Sequence, residues 1–131
     1  MRRMTRQLVS SGSPYEATIG LSRAVRVGPS IAVAGTAPLC ADGTTAHVGD
    51  VYAQTRRCLE IMVRAIEQAG GTAASIVRTR VMLTDIARWH EAARAHGEMF
   101  ATIRPACTFV QVVGFIDPAW LVETEADAYV E

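Results

Sequence analysis

Apolar residues recur at helical spacing between Asp50 and Gln68, and this pattern predicts a long amphipathic helix. The recurring positions are Val51, Thr55, Cys58, Leu59, Met62, Ile66 and Ala69. Asp50 suits the N-cap because its side chain can accept a hydrogen bond from the first turn, and Gly70-Gly71 suits the stop. Since the charged residues lie mainly off the apolar stripe, we expect this helix to pack one face on a sheet.

A second helical pattern begins after Asp85, which we expect to be its cap, and ends before Pro105. Proline disfavours helical backbone at the residue before it, so the helix should stop there. The predicted buried face consists of Ile86, Trp89, Ala93, His96, Phe100 and Ile103.

Runs of β-prone residues precede, separate and follow the two helices. The predicted strands are Ala24–Gly28, Ile31–Thr36, Ser75–Thr84, Cys107–Val113 and the segment from Trp120 to the end. Pro29-Ser30 is predicted to be the turn of a hairpin between the first two strands. In the third strand the alternation places Val77, Val81 and Leu83 on one face and Arg78, Arg80 and Met82 on the other.

The resulting order is ββ-α-β-α-ββ, which favours an α+β fold. Two helices can cover one face of a single mixed or antiparallel sheet, so a two-layer sandwich is the simplest arrangement. No linker or change of composition divides residues 1–131, and we therefore expect one domain.

Composition narrows the range of functions. The formal net charge is zero and no basic stripe is present, so a nucleic-acid partner is not expected. Cys40, Cys58 and Cys107 are odd in number and widely spaced, which favours reduced thiols and a cytoplasmic location.

No apolar run reaches membrane length, so no membrane partner is expected. The absence of lysine excludes Schiff-base chemistry and pyridoxal-phosphate attachment, and no cofactor is indicated.

Three carboxylates share one face of the last predicted strand. Glu123, Glu125 and Asp127 alternate with apolar positions, so they follow one another at about 7 Å. They either form a solvated sheet face or place at least one acid in a cleft as a general base. If Glu123 lies in a cleft, burial should raise its pKa.

The histidines do not suggest a metal site. His90 and His96 superficially resemble a zinc-protease helix, but that motif needs histidines four residues apart. A separation of six residues rotates the second ring about 240° around the helix. No metal is therefore predicted.

Several short motifs resemble the RidA/YjgF family, whose members are also described as endoribonuclease L-PSP. They are Ser11-Gly-Ser-Pro-Tyr15, Ser22-Arg-Ala-Val-Arg-Val-Gly28, Ala34-Gly-Thr36, Arg104-Pro-Ala106 and Val122-Glu-Thr-Glu-Ala126. The resemblance extends from about residue 10 to residue 130. It implies a chorismate-mutase-like domain that forms a homotrimer, with clefts for small molecules between the subunits.

The resemblance also suggests site residues. In the deaminase members an arginine follows the Pro-Ala pair and binds the substrate carboxylate, but Cys107 occupies that position here. Glu123 matches the family's water-positioning glutamate. The other expected ligand contacts are Leu21, Ala34, Gly35, Thr36, Ala93 and Phe109.

We therefore expect hydrolysis of a small imine, enamine or related carbonyl compound, with Glu123 orienting water and Cys107 contacting substrate. Deamination of 2-imino acids is not expected, because a thiol cannot replace a bidentate guanidinium. Cys107 could alternatively be a small wall residue of the cleft. The alternative function is a non-catalytic trimeric binding module with a more apolar pocket. A ribonuclease activity fits least, since no basic surface is indicated.

Overall fold

The computed structural model describes residues 5–131. The strands are β1 Arg6–Val9, β2 Ala24–Val27, β3 Ser30–Thr36, β4 Ile76–Leu83, β5 Ala106–Gln111 and β6 Val122–Tyr129. The helices are α1 Tyr15–Ile19, α2 Val51–Gln68 and α3 Trp89–Phe100, with short 3₁₀ turns at Ala73–Ser75 and Ile86–Arg88. Within these residues no helix has the length and apolar character needed to cross a membrane.

The strands form one six-stranded sheet in the order β1-β2-β3-β6-β4-β5. All neighbours are antiparallel except β4 and β5, which are parallel and are connected through α3. The last strand, β6, therefore lies in the middle of the sheet, between β3 and β4. The α+β class and the mixed sheet are confirmed.

Both long helices cover the same face of the sheet. One core cluster joins Leu59, Met62 and Ile66 of α2 to Ile31, Val33, Ala126 and Ala128 of the sheet and to Phe100 of α3. A second cluster joins Val51 and Cys58 of α2 to Val81, Leu83 and Val122 of the sheet and to Ala92 of α3. The two-layer packing follows from this shared burial of apolar faces.

The long helix begins and ends as its sequence predicts. The Asp50 side chain accepts a hydrogen bond from the backbone N–H of Ala53 at 2.9 Å. The helix ends at Gln68, and Gly70 then adopts a φ of +94°, which glycine tolerates without a Cβ clash. Local capping chemistry therefore sets both boundaries of α2.

The opposite face, which we call the uncovered face, presents Glu123, Glu125 and Asp127. Two of these acids meet arginines of the adjacent strand: Glu125 forms an ion pair with Arg80, and Asp127 lies 3.7 Å from the Nε of Arg78. These arginines neutralise the outer part of the acidic stripe. Glu123 stands apart from these pairs.

The predicted hairpin turn is wrong by one residue. Ser30 is the first residue of β3 and pairs with Val27, so the turn consists of Gly28 and Pro29. Gly28 has a φ of +57°, as the first central position of a tight hairpin turn requires.

The predicted face of β4 is wrong at Val77. The pairing of β4 with β6 shifts register between Ile76 and Arg78, which interrupts the alternation of side chains. Ile76 is buried and Val77 is 54% exposed. Val81 and Leu83 lie on the covered face as predicted.

The predicted buried face of α3 is wrong at its start. Asp85 caps a 3₁₀ turn by accepting from the backbone N–H of Ala87, and this tighter turn changes the phase of the following helix. Trp89 is consequently 43% exposed, and Ile86 is exposed as well. The buried residues of α3 are Ala92, Ala95 and Phe100.

Candidate functional site

A cavity of about 120 Å³ lies beside Glu123. We call it the Glu123 cavity. Its polar wall residues include Arg23, Thr36 and Glu123, and its larger side chains include those of Tyr15, Leu21, Leu39, Ile61 and Trp120. This space suits a small molecule. Four parts of the chain surround it: the segment around α1, the end of β3, helix α2 and the start of β6.

A β-bulge makes room for the carboxylate of Glu123. The pairing of β3 with β6 shifts register between Val33 and Thr36, so β3 contains one extra residue there. A Cβ atom built on Gly35 would lie 3.1 Å from Oε1 of Glu123. Glycine at this position therefore leaves the carboxylate the space that a larger residue would fill.

Glu123 is partly buried and its pKa is raised. Burial is the main cause, the negative charge of Glu125 adds to it, and the positive charge of Arg23 opposes it. The direction of this pKa change is the one expected for a glutamate in a cleft. This carboxyl group can exchange a proton closer to neutral pH than an exposed glutamate does.

Arg23 is the main positive group of the cavity wall and is only 6% exposed. Its Nη1 donates hydrogen bonds to the carbonyl oxygen of Gly35 at 2.6 Å and to Oγ1 of Thr36 at 3.2 Å. Burial lowers the pKa of Arg23, and the nearby carboxylates of Glu16 and Glu123 oppose that change. Arg23 thus joins the bulge of β3 to the acidic groups of the site.

Glu16 supplies the charge that compensates Arg23. Its Oε2 lies 4.0 Å from the Nε of Arg23, and the residue is 8% exposed. Burial alone would raise the pKa of Glu16, but hydrogen bonds donated by Ser10, Ser11 and Ser13 lower it overall. Glu16 is therefore held as a carboxylate.

The cavity contains four of the residues predicted from sequence: Leu21, Gly35, Thr36 and Glu123. Ala34 lies next to it and contributes a backbone carbonyl, which accepts from the Thr36 hydroxyl at 2.8 Å. Sequence reasoning missed Arg23 and Glu16 as site residues. The signal available for Arg23 was a single arginine directly before the β-prone run Ala24–Val27.

Three of the residues predicted from sequence lie away from the Glu123 cavity. They are Cys107, Phe109 and Ala93. Cys107 is exposed on β5, at the edge of the sheet, and pairs with Thr79 of β4. Since Thr79 is buried on the covered face, the register places Cys107 on that side and Glu123 on the other. One chain therefore does not bring the two predicted catalytic residues together.

An aromatic cluster, which we call the His96 cluster, occupies the covered side of β5. The ring of Phe109 meets those of Trp89 and His96 edge to face, at centroid distances of 6.4 and 6.2 Å. The Nε2 of His96 lies 2.8 Å from Oγ1 of Thr79, and burial lowers the pKa of His96. Ala93 belongs to α3, within the same layer.

The family profile described as Endoribonuclease L-PSP matches residues 12–130. This match covers nearly all of the described residues, including every residue named above as lining the Glu123 cavity. The chain belongs to this family, which is the RidA/YjgF family. The recognition made from the sequence motifs is thus confirmed.

Relatives and solved structures agree with this membership. The chain is 40% identical to an uncharacterized protein of Streptomyces coelicolor over 92% of this chain and 90% of that protein. It is 35% identical to the 3-aminoacrylate deaminase RutC of Acinetobacter baylyi over 75% of this chain and 77% of RutC. A Mycobacterium tuberculosis member of the YjgF/YER057c/UK114 family is 47% identical with a TM-score of 0.87, covering 96% of this chain and 100% of that one.

Proposed function

We propose that this RidA-family chain is a cytoplasmic, homotrimeric hydrolase of small imines, enamines or related carbonyl compounds. The observation that supports the proposal best is the carboxyl group of Glu123, which has a raised pKa and faces a small cavity beside a buried arginine. The free thiols of Cys40, Cys58 and Cys107 agree with a reducing compartment.

In the proposed reaction Glu123 holds a water molecule against the C=N carbon of the imine. The water oxygen forms a bond to that carbon while Glu123 accepts a water proton. Glu123 then returns this proton to the nitrogen, which gives a carbinolamine. Glu123 next accepts the hydroxyl proton of the carbinolamine and delivers it to the nitrogen as the C–N bond breaks and the C=O bond forms, so the products are a carbonyl compound and ammonia. An enamine enters the same sequence after a proton moves from nitrogen to carbon to give the imine.

The proposed trimer gives Cys107 its role. Cys107 is exposed on the edge strand β5, so it is accessible to a second copy of the chain. We propose that β5 of one subunit closes the Glu123 cavity of its neighbour, where Cys107 contacts the substrate. Because a thiol cannot form a bidentate contact with a carboxylate, deamination of 2-imino acids by a contact at position 107 is not part of the proposal.

The experiment is a comparison of wild type with Glu123→Gln, using ammonia release from a panel of small imines. We expect the variant to retain its fold and its mass by light scattering, with hydrolysis reduced roughly a hundredfold or more. Unchanged hydrolysis in Glu123→Gln would contradict the catalytic role, and a mass near 14 kDa for wild type would contradict the trimer.

A non-catalytic binding module is the second candidate. The apolar walls formed by Leu39, Ile61 and Trp120 favour it, since they can hold an uncharged ligand without chemistry. In that case a ligand would raise the melting temperature of wild type and Glu123→Gln alike, and no member of the panel would be hydrolysed.

A further inference from the structure

The guanidinium of Arg23 has donors that no side chain or backbone group of residues 5–131 accepts. Among residues 5–131 only its Nη1 makes hydrogen bonds. The one fully buried side-chain nitrogen or oxygen in this range without a partner is Oγ1 of Thr124, so the Nε and Nη2 of Arg23 are not sealed inside the protein. Because Arg23 lines the Glu123 cavity and its Nε lies toward Glu16, Nη2 is the donor that a ligand there would use.

The charge of Arg23, by contrast, is already compensated. Glu16 is buried, accepts four hydrogen bonds and lies 4.0 Å from Arg23. Glu16 lies behind Arg23 and does not line the cavity, whereas Glu123 lines it and brings a second carboxyl group close to Arg23. Arg57, the other arginine of the wall, lies 3.6 Å from the carboxylate of Glu60, which also lies 3.9 Å from Arg56. At Arg23, an anionic ligand would therefore find no uncompensated positive charge.

We propose that the ligand of the Glu123 cavity is uncharged and that Arg23 donates hydrogen bonds to its carbonyl or amide oxygen, while Glu16 excludes carboxylates. This inference rests on the proposed function for the location of the ligand and specifies its class: neutral imines, enamines or amides of a few carbons. Arg23 is then a hydrogen-bond donor to the substrate, and Glu16 is the residue that determines specificity through charge.

The first test needs no variant. Butanamide and butanoate have the same carbon skeleton and differ in charge, so calorimetric titration of the wild-type protein at pH 7.5 measures the preference directly. We expect butanamide to bind roughly tenfold or more tightly than butanoate, because the negative charges of Glu123 in the wall and of Glu16 behind Arg23 repel the anion. Equal affinity, tighter binding of butanoate, or failure of both probes to bind would overturn the inference.

The second test reverses the preference. In Glu16→Gln the positive charge of Arg23 loses its partner, so butanoate should gain roughly tenfold in affinity while butanamide changes little. Glu91→Gln is the matched control, since Glu91 of α3 is paired with Arg88 of the preceding 3₁₀ turn, outside the cavity wall. It should alter neither affinity. If Glu16→Gln folds and butanoate gains nothing, Glu16 does not determine specificity.

The two proposals can fail separately. If imine hydrolysis is unaffected in Glu123→Gln but butanamide still binds in preference to butanoate, the hydrolase proposal fails and the neutral-ligand inference stands. If hydrolysis depends on Glu123 but carboxylate-bearing imines are preferred, the hydrolase proposal stands and the role of Glu16 is wrong.

Discussion

The Glu123 cavity and the His96 cluster both hold a partly buried titratable group, but burial acts on the two groups in opposite directions. Burial raises the pKa of Glu123 and lowers the pKa of His96. In both cases it favours the neutral form. The difference lies in the neighbours. Glu123 faces a cavity beside Arg23 and Glu125, whereas His96 packs against Phe100 and Phe109 and binds Thr79. Of these two groups, Glu123 is the one that has both a polar surrounding and space for a ligand.

The largest expected effect is on the stability of the cavity side. Arg23→Met removes two hydrogen bonds and leaves Glu16 buried without its positive neighbour. We expect the free energy of unfolding to fall by about 2–4 kcal/mol. Urea denaturation measures it, with Cys107→Ser on the exposed edge strand as the comparison, where a change of about 0.5 kcal/mol or less is expected. Equal losses in the two variants would contradict the difference between the regions.

The next effect concerns activity. Gly35→Ala places a methyl group about 3.1 Å from the Glu123 carboxylate and should displace it. Because small displacements of a catalytic group are costly, we expect hydrolysis to fall roughly tenfold or more. The φ of Gly35 is not positive, so alanine is tolerated by the backbone and the melting temperature should change little. An unimpaired Gly35→Ala enzyme would show that Glu123 need not occupy its present position.

The smallest effect is a difference in pH dependence. For His96 the lowered pKa means that the unfolded chain binds the proton first, so stability is lost as the pH falls through about 6.5. For Glu123 the raised pKa means that the folded chain binds the proton first. Its stabilising contribution is complete below the ordinary glutamate value and is lost as the pH rises through the raised value.

Urea denaturation between pH 8 and about pH 4 separates these two contributions. His96→Gln should make the loss of stability on acidification shallower than in wild type, and Glu123→Gln should make it steeper. The same change of slope in both variants would contradict the assigned directions.

Much of the fold could be predicted because local chemistry and the global pattern agree. Asp50 and the apolar stripe after it determine α2, and the order of elements leads to a two-layer fold. The errors arise where a short irregularity shifts the phase. The bulge near Val77 and the 3₁₀ turn before Trp89 each shift the spacing of buried side chains by one position. No residue type in the sequence predicts either irregularity.

The site was predicted only where a motif pointed to it. Glu123 and Gly35 were found through resemblance and strand alternation. Arg23 and Glu16 were missed because their importance depends on burial and on a contact between helix α1, the residue before β2 and the bulge of β3. Composition cannot distinguish a buried, paired arginine from a surface one. The separation of Cys107 from Glu123 likewise depends on which face of the sheet each strand presents.

The position of β6 has a consequence for how the chain folds. The strands β1, β2 and β3 form one block and β4 and β5 another, and only β6, which follows all of them in the chain, joins the two blocks. Pairings between residues so far apart in sequence form late and slowly. During synthesis β3 and β4 therefore each keep one edge without its pairing strand until β6 has been made. The strand that completes the sheet is also the strand that carries Glu123, so the chain cannot place this carboxylate beside the cavity before it has closed its fold.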